Sequence, residues 1–211
     1  MALRANTFAE TGIHSIAMAK TIRLATSDDA AEMAAIYSHF VLNTPTSFES
    51  EPPNEEEMRR RITATTERYP WLVCDVDGGV AGYAYASQHR VRYHYQWSVD
   101  VGVYVHENFR RQGIATDIYR ALLAVIPLQG YVSAYAGITL PNPASVALHE
   151  SMGFIPVGIY RNVGFKLGSW HDVGWWQLTL IDPPAEPKNL LTLAEVLTCP
   201  DWEAALAYPA P

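Results

Sequence analysis

The chain has 211 residues, of which 49% are hydrophobic and 18% charged; 15 Lys and Arg against 22 Asp and Glu give a net charge of −7 with His neutral. Enough apolar side chains are present for a continuous core, which excludes a wholly disordered chain, and the acidity argues against nucleic acid as a partner. Two cysteines are too few for a disulfide framework, and the apolar runs are too short to span a bilayer, so no membrane partner is expected.

The two ends of the chain differ from its middle. Residues 1–20 hold one early Arg4 and no long apolar region, so we expect an N-terminal extension and no signal peptide. Six of the 14 prolines lie in the last 29 residues, which predicts a C-terminal tail over residues 182–211. A short helix within 190–197 is expected to pack on the body or on a second subunit. A single domain is therefore expected over 21–181, in the reducing environment of the cytoplasm.

The domain begins with a short strand and two helices. Residues 21–25 read as the strand, and Ser27 begins a helix with apolar side chains at helical spacing. Asn54 followed by Glu57 is a capping-box pattern, which predicts a second helix that runs to residue 68.

The hydrophobic period then changes to that of strands. Residues 71–76 and 80–86 flank an Asp-Gly-Gly turn, and glycine supplies the positive φ that a tight hairpin turn needs. Residues 93–105 read as one long strand because valines alternate with other residues along its second half.

Helices and strands alternate in the last third of the domain. An amphipathic helix is predicted over 113–126, and Pro127 ends it. The remaining elements are strands near 131–138, 158–165 and 173–180, and a helix over 143–152. This order predicts the α/β (α+β) class, with a mixed sheet in one layered domain.

Residues 101–115 have the layout of a phosphate site, in which a strand runs through a short turn into a helix. The first N–H groups of a helix have no intrahelical partner, and the helix dipole adds positive potential there. Arg110 and Arg111 lie at this point, and Gly113 lets the backbone approach a pyrophosphate closely. The alternative is a basic helix start that water caps, with Gly113 as an ordinary turn residue.

Two motifs in this region resemble those of a known family. Arg110-x-x-Gly113-x-Ala115 matches the acetyl-CoA pyrophosphate loop of the GNAT N-acetyltransferases, and residues 142–154 resemble the second signature of that family. Within the family the chain is similar to the phosphinothricin and methionine sulfoximine acetyltransferase subgroup. The similar segments are residues 43–52, 69–73, 82–86, 140–143 and 163–177. The resemblance covers about residues 21–180 and implies a GNAT fold, in which a twisted mixed sheet carries helices on both faces.

The resemblance implies acetyl-CoA as co-substrate. No metal is expected, because His171 and Asp172 adjoin but no third ligand is spaced for one. Pantetheine would lie in a gap of the sheet along the backbone of Val103 and Val105, where the Val103 amide would polarise the thioester carbonyl. Asn142 would bond the pantetheine amides, or else serve only as a helix cap. The pyrophosphate would be held by Arg110, Arg111, Gln112, Gly113, Ile114, Ala115 and Thr116.

Two residues are implied as catalytic, Asp100 and His149. Asp100 aligns with the glutamate that is the subgroup's proposed general base; since Asp is one methylene shorter, we expect proton transfer through water. The alternative is a solvated strand Asp. His149 occupies the place where many GNAT enzymes carry a tyrosine that protonates the CoA thiolate, and an imidazole can do this or help to deprotonate the amine. The alternative is a helix histidine hydrogen-bonded to the backbone.

The acceptor site is implied by Phe48, Arg92 and Tyr95. Arg92 and Tyr95 match the subgroup's Arg-x-x-Tyr, where the arginine would hold the acidic head of the acceptor, and Phe48 would wall the same cavity. The expected acceptor is a small amino-acid-like amine such as phosphinothricin, methionine sulfoximine or methionine sulfone, and the expected assembly is a homodimer. The alternatives are a broader amino-acid or amine N-acetyltransferase and an acyl-CoA-binding homologue without turnover.

Overall fold

A computed structural model describes residues 20–207 of the chain, which fold around one β-sheet. The strands are β1 (Lys20–Leu24), β2 (Trp71–Val76), β3 (Gly79–Gln88), β4 (Ser98–Val105), β5 (Ser133–Leu140), β6 (Ile155–Lys166) and β7 (Ser169–Thr179). The helices are α1 (Ala30–Asn43), α2 (Glu55–Thr66), α3 (Ile114–Val125), α4 (Pro143–Ser151), α5 (Leu193–Leu197) and α6 (Asp201–Leu206).

The sheet has the order β1-β2-β3-β4-β5-β7-β6. Neighbouring strands are antiparallel except β4 and β5, which are parallel. The mixed sheet predicted from the sequence is therefore confirmed. Its first hairpin follows the expected turn chemistry, because Asp77 and Gly78 both have positive φ, at 52° and 89°.

Alternation along the strands divides the apolar side chains between two faces of the sheet. On β2, Leu72 and Cys74 pack with the buried face of α3, while Trp71 and Val73 pack with α1 and α2. The sheet thus carries helices on both faces, as the resemblance implies.

The long strand expected at residues 93–105 is wrong in its first half. The chain enters β4 only at Ser98, and Tyr93–Tyr95 form a 3-10 turn closed by a hydrogen bond from the Tyr95 N–H to the Arg92 carbonyl, at 3.0 Å. Tyrosines favour strands when they pack on a half-buried surface. Tyr93 and Tyr95 are exposed instead, so their intrinsic preference does not decide the local structure.

The segment after residue 181 packs against the body of its own chain. Leu193 and Val196 of α5 and Trp202 of α6 are buried in the same core cluster as α3. Thr192 caps α5 by accepting a hydrogen bond from the Glu195 N–H. The sequence predicted the first of these helices and missed the second. The domain limits at residues 21 and 181 stay predictions, and the N-terminal extension, apart from Lys20, lies outside the described residues.

Candidate active site

The sheet opens between β4 and β5. These strands pair only at Ser98 with Ser133, Val99 with Ala134 and Asp100 with Tyr135, after which both continue without pairing to each other. Just after β4, the His106 N–H donates a hydrogen bond to the Ala81 carbonyl of β3, at 2.9 Å. This N–H therefore points toward β3. Because backbone groups alternate between the two edges of an antiparallel strand, the amides of Val103 and Val105 face the opening.

The opening continues into a cleft of about 420 Å³. Nine of the ten residues implied as cofactor-binding line this cleft: Val103, Val105, Arg110, Arg111, Gly113, Ile114, Ala115, Thr116 and Asn142. Gln112 is the exception, because its side-chain amide turns away to donate to the Asn108 carbonyl at 2.8 Å. Asn142 is also the cap of α4, since its side-chain oxygen accepts from the Ser145 N–H at 3.2 Å. Both readings of Asn142 therefore fit its position.

The start of α3 forms the polar end of the cleft. Arg111 and Gly113 have positive φ, at 62° and 81°, and Gly113 is the residue that caps the helix. Such left-handed residues beside the free N–H groups of a first helical turn create a concavity suited to an anion. The Arg110 guanidinium lies 5.6 Å from the centroid of the Phe40 ring, so it is held over the cleft. The geometry suits a phosphate at this end.

Asp100 lies at the point where β4 and β5 separate. Its carboxyl Oδ1 is 2.6 Å from Nδ1 of His89, and its side chain is only 29% exposed. Burial raises the pKa of Asp100, while the hydrogen bond with His89 acts in the opposite direction. The His89 ring stacks on Tyr135, with 4.2 Å between centroids.

His89 was not identified by the sequence reasoning. The only signal for it is the strand register: Asp100 pairs with Ser87 of β3, so a residue shortly after the end of β3 can fold back onto the carboxylate.

His149 is buried between helices and does not line the cleft. Its Nδ1 donates to the Ser145 carbonyl at 2.7 Å, and its Nε2 is 3.0 Å from the Tyr119 hydroxyl. A ring that donates through Nδ1 accepts through Nε2, so the neutral imidazole satisfies both contacts. Burial lowers the pKa of His149, with the Ser145 carbonyl acting in the opposite direction. This arrangement favours the alternative of a hydrogen-bonded helix histidine over a proton donor to the thiolate.

The three acceptor residues implied by the resemblance lie apart from the cleft lining. Tyr95 is exposed, with its ring centroid 6.2 Å from that of His89. Arg92 is exposed at the start of the 3-10 turn. Phe48 lies in the loop between α1 and α2 and packs against Gly164 of β6, where an added Cβ would meet its ring at 2.3 Å. Of these three, the described contacts bring only Tyr95 near Asp100 and His89.

A smaller cavity of about 240 Å³ adjoins the His89 ring. Its walls include Tyr135, Tyr160 and Trp175, and the Arg90 guanidinium lies 5.6 Å from the centroid of the Trp175 ring. The sequence analysis did not identify Arg90 either, because the Arg-x-x-Tyr motif begins at Arg92, two residues later. A cation and aromatic walls beside a carboxylate suit a small acceptor with an acidic group.

Within residues 20–207 there is neither a candidate metal site nor a candidate membrane span. No group of three or more His, Cys, Asp or Glu in this range could hold a metal ion. None of the helices described there is long and apolar enough to cross a membrane.

Comparison with known proteins gives consistent matches. The model of the acetyltransferase (GNAT) domain family matches residues 22–175. A phosphinothricin N-acetyltransferase of Streptomyces viridochromogenes is 38% identical over 83% of this chain and 95% of its own length. An L-methionine sulfoximine/L-methionine sulfone acetyltransferase of Salmonella typhimurium is 32% identical over 79% of this chain and 98% of its own.

A solved structure supports the fold directly. The crystal structure of a GNAT superfamily phosphinothricin acetyltransferase from Sinorhizobium meliloti, in complex with acetyl-CoA, aligns with a TM-score of 0.77 and 34% identity. The alignment covers 81% of this chain and 94% of that protein.

Proposed function

This chain belongs to the GNAT family of acetyl-CoA-dependent N-acetyltransferases, and we propose that its acceptor is a small amino-acid-like molecule that is acetylated on its α-amine. Phosphinothricin, methionine sulfoximine and methionine sulfone are the acceptors we name, because proteins 38% and 32% identical to this chain carry those substrates in their names. The observation that carries the proposal is the opening between β4 and β5, which begins at Asp100 and leads into the cleft at the start of α3.

The cleft fits acetyl-CoA in two separate respects. The amides of Val103 and Val105 face the opening, where the edge of β4 turned toward β5 has no strand partner, so an extended pantetheine can bond them as a neighbouring strand would. Arg110, Arg111 and the first N–H groups of α3 would hold the pyrophosphate. Acetyl-CoA supplies the activated acyl group, and the Val103 N–H would stabilise negative charge on the thioester oxygen during transfer.

The acceptor amine must lose a proton before it can attack the thioester. Amines of the α-amino-acid kind are mostly protonated at neutral pH, so the site needs a proton acceptor near the end of the cleft. Asp100 is the carboxylate at this position, and we propose that the amine loses its proton with the help of this carboxylate. Arg90 is the cation in the cavity beside His89 that would hold an acidic group of the acceptor, with Tyr95 as a nearby wall. Arg92 and Phe48 stay proposed acceptor contacts on the resemblance alone.

We also propose that the chain forms a homodimer through β6. This strand is at the end of the sheet order, and Ile155, Val157 and Ile159 along it are exposed. An apolar edge strand is a ready surface for a second copy of the chain. The dimer is implied by the resemblance, and it would have explained the apolar side chains of residues 190–197, but these are largely used in the chain's own core. A cytoplasmic location agrees with Cys74 and Cys199 being free thiols.

A thiol-release assay with acetyl-CoA and a panel of amines tests the proposed acceptor. We expect acceptor-dependent thiol release to be fastest with phosphinothricin, methionine sulfoximine and methionine sulfone. Comparable rates with unrelated amino acids and amines would favour the broader N-acetyltransferase. No release with any amine would favour the non-catalytic homologue. Growth on phosphinothricin of cells that express the chain, compared with an Asp100→Asn variant, extends the test to herbicide resistance.

A further inference from the structure

We propose that the proton of the acceptor amine is taken by Nε2 of His89, and that Asp100 is the carboxylate that orients and stabilises this histidine. The assignment rests on the function proposed above and deepens it, because it replaces a lone carboxylate by a His–Asp pair. It makes His89 a catalytic residue and Asp100 a positioning residue.

The hydrogen bond between the two side chains fixes the state of the ring. A carboxylate can only accept, so Nδ1 of His89, 2.6 Å from the Asp100 oxygen, carries the hydrogen. In the neutral imidazole the lone pair is then on Nε2. Among residues 20–207, Nε2 of His89 has no hydrogen-bond partner, in contrast to Nε2 of His149, which is bonded to Tyr119. His89 therefore has the tautomer that a general base requires.

The ring is also held in place from several sides. It stacks on Tyr135 at 4.2 Å with an angle of 13° between the planes, and the rings of Tyr95 and Trp175 lie edge-on at 6.2 Å. Its side chain is 11% exposed, and it lines the cavity of about 240 Å³ beside the opening of the sheet. A base held in one orientation beside a cavity is suited to proton transfer from a bound amine.

Four parts of the chain bring titratable or charged side chains close to His89. Asp100 faces it from β4, Tyr135 from β5 and Tyr95 from the 3-10 turn, while Arg90 follows it in its own loop. Trp175 of β7 adds no titratable group. Asp100 is thus the anion that stabilises the imidazolium formed during the reaction.

The same pair accounts for the shorter acid at position 100. Relative to the glutamate that the resemblance implies there, aspartate withdraws the carboxylate by one methylene. His89 occupies the space directly beyond the carboxylate, so the imidazole restores the reach of the base toward the cavity. A water between carboxylate and amine is then not needed.

The proton and electron balance is simple. Nε2 of His89 takes one proton from the ammonium group, which leaves a neutral amine with a free electron pair. That pair forms the N–C bond with the thioester carbonyl, the C–S bond breaks, and the electron pair of this bond leaves with the CoA thiolate. After the attack the nitrogen gives its second proton to the CoA thiolate, which leaves as the thiol. The imidazolium then returns its own proton to solvent.

The test uses His89→Asn, Asp100→Asn and the double variant, with His94→Asn as a control in the same loop. Asparagine keeps a donor near the place of Nδ1 but offers no base. We expect His89→Asn to lower kcat by about 100-fold or more, in line with the usual effect of a general base. Acetyl-CoA binding, measured by calorimetry, should be unchanged and shows that the variant is folded. The double variant should be about as slow as His89→Asn alone, because the residues act as a unit.

Two further readouts separate catalysis from structure. The defect of His89→Asn should shrink by about 10-fold with an acceptor amine that is already neutral at the assay pH, because no base is then needed. The acidic limb of the kcat profile should change in His89→Asn and not in His94→Asn. If His89→Asn fails to bind acetyl-CoA, His89→Gln serves as the second variant.

Three outcomes would overturn the proposal. If both His89→Asn and His89→Gln keep kcat within about 3-fold while Asp100→Asn loses far more, Asp100 is the base alone. If the defect appears only in the KM for the acceptor, His89 binds the acceptor and does not take its proton. If the wild-type protein releases no thiol with any amine, the proposed function itself is wrong, a result distinct from the first two.

Discussion

Replacing Arg110 by alanine should weaken the binding of acetyl-CoA only by removing a contact to its pyrophosphate. The guanidinium lines the cleft and is held 5.6 Å from the centroid of the Phe40 ring. A hydrogen bond to a charged group contributes about 1.5–3 kcal/mol. Because Arg110 is exposed to water, we take the lower end, about 1.5 kcal/mol. Since 1.4 kcal/mol is a factor of ten, the Kd of acetyl-CoA should rise about 10-fold.

Calorimetry with two ligands separates this effect from a general disturbance of the cleft. S-acetylpantetheine carries the thioester and pantetheine but no pyrophosphate, so its Kd should be the same for Arg110→Ala and the wild type. Arg59→Ala is the matched control, because Arg59 is exposed on α2, pairs with Glu55 and does not line the cleft. Equal weakening of both ligands by Arg110→Ala would refute the placement of the pyrophosphate at the start of α3.

Three other substitutions test the described contacts. His149→Phe should keep kcat within about 3-fold and lower stability by about 1–3 kcal/mol, because it removes the partner of Tyr119; a kcat loss near 100-fold would instead support a role of His149 as proton donor. Trp202→Ala should lower the free energy of unfolding, measured by chemical denaturation, by about 3–5 kcal/mol if α6 belongs to the core. A loss below about 1 kcal/mol would show that α6 does not belong to the core. Burial acts to raise the pKa of Asp29, but hydrogen bonds from Arg23 and Thr26 outweigh it and lower that pKa. The stability that charged Asp29 provides is therefore complete above its ordinary pKa, about 3.9, and is lost as the pH falls through the lower folded value. Asp29→Asn should destabilise the protein at pH 7 by about 1–2 kcal/mol, and the difference should narrow in strong acid; a difference that does not depend on pH would contradict the ion pair.

The sequence predicts well wherever a local pattern decides the structure. The β2–β3 hairpin follows from its Asp-Gly-Gly turn, and the start of α3 follows from its glycine and arginines. The prediction is wrong at residues 93–97, where exposed tyrosines with a high preference for strands form a 3-10 turn. The second C-terminal helix is missed because its burial depends on contacts with the distant α3, which no short sequence pattern reveals.

The cofactor side of the candidate site can be predicted from the sequence, and much of its acceptor side cannot. The cofactor residues are contiguous along β4 and the start of α3, so one motif locates nearly all of them. The acceptor side is built from separate loops, and neither His89 nor Arg90 belongs to a motif. Their placement depends on how the loop after β3 folds back over β4 and β7, which is a tertiary property.

The activity to be tested above all is the transfer of the acetyl group of acetyl-CoA to the α-amine of a small amino-acid-like acceptor. The most direct measurement is mass spectrometry of phosphinothricin and methionine sulfoximine after incubation with enzyme and acetyl-CoA, with free thiol counted in the same samples. We predict one N-acetylated acceptor for each thiol released, and no product when the α-amine is blocked. Thiol release that does not depend on the acceptor, with no acetylated product, would contradict the proposed acetyl transfer.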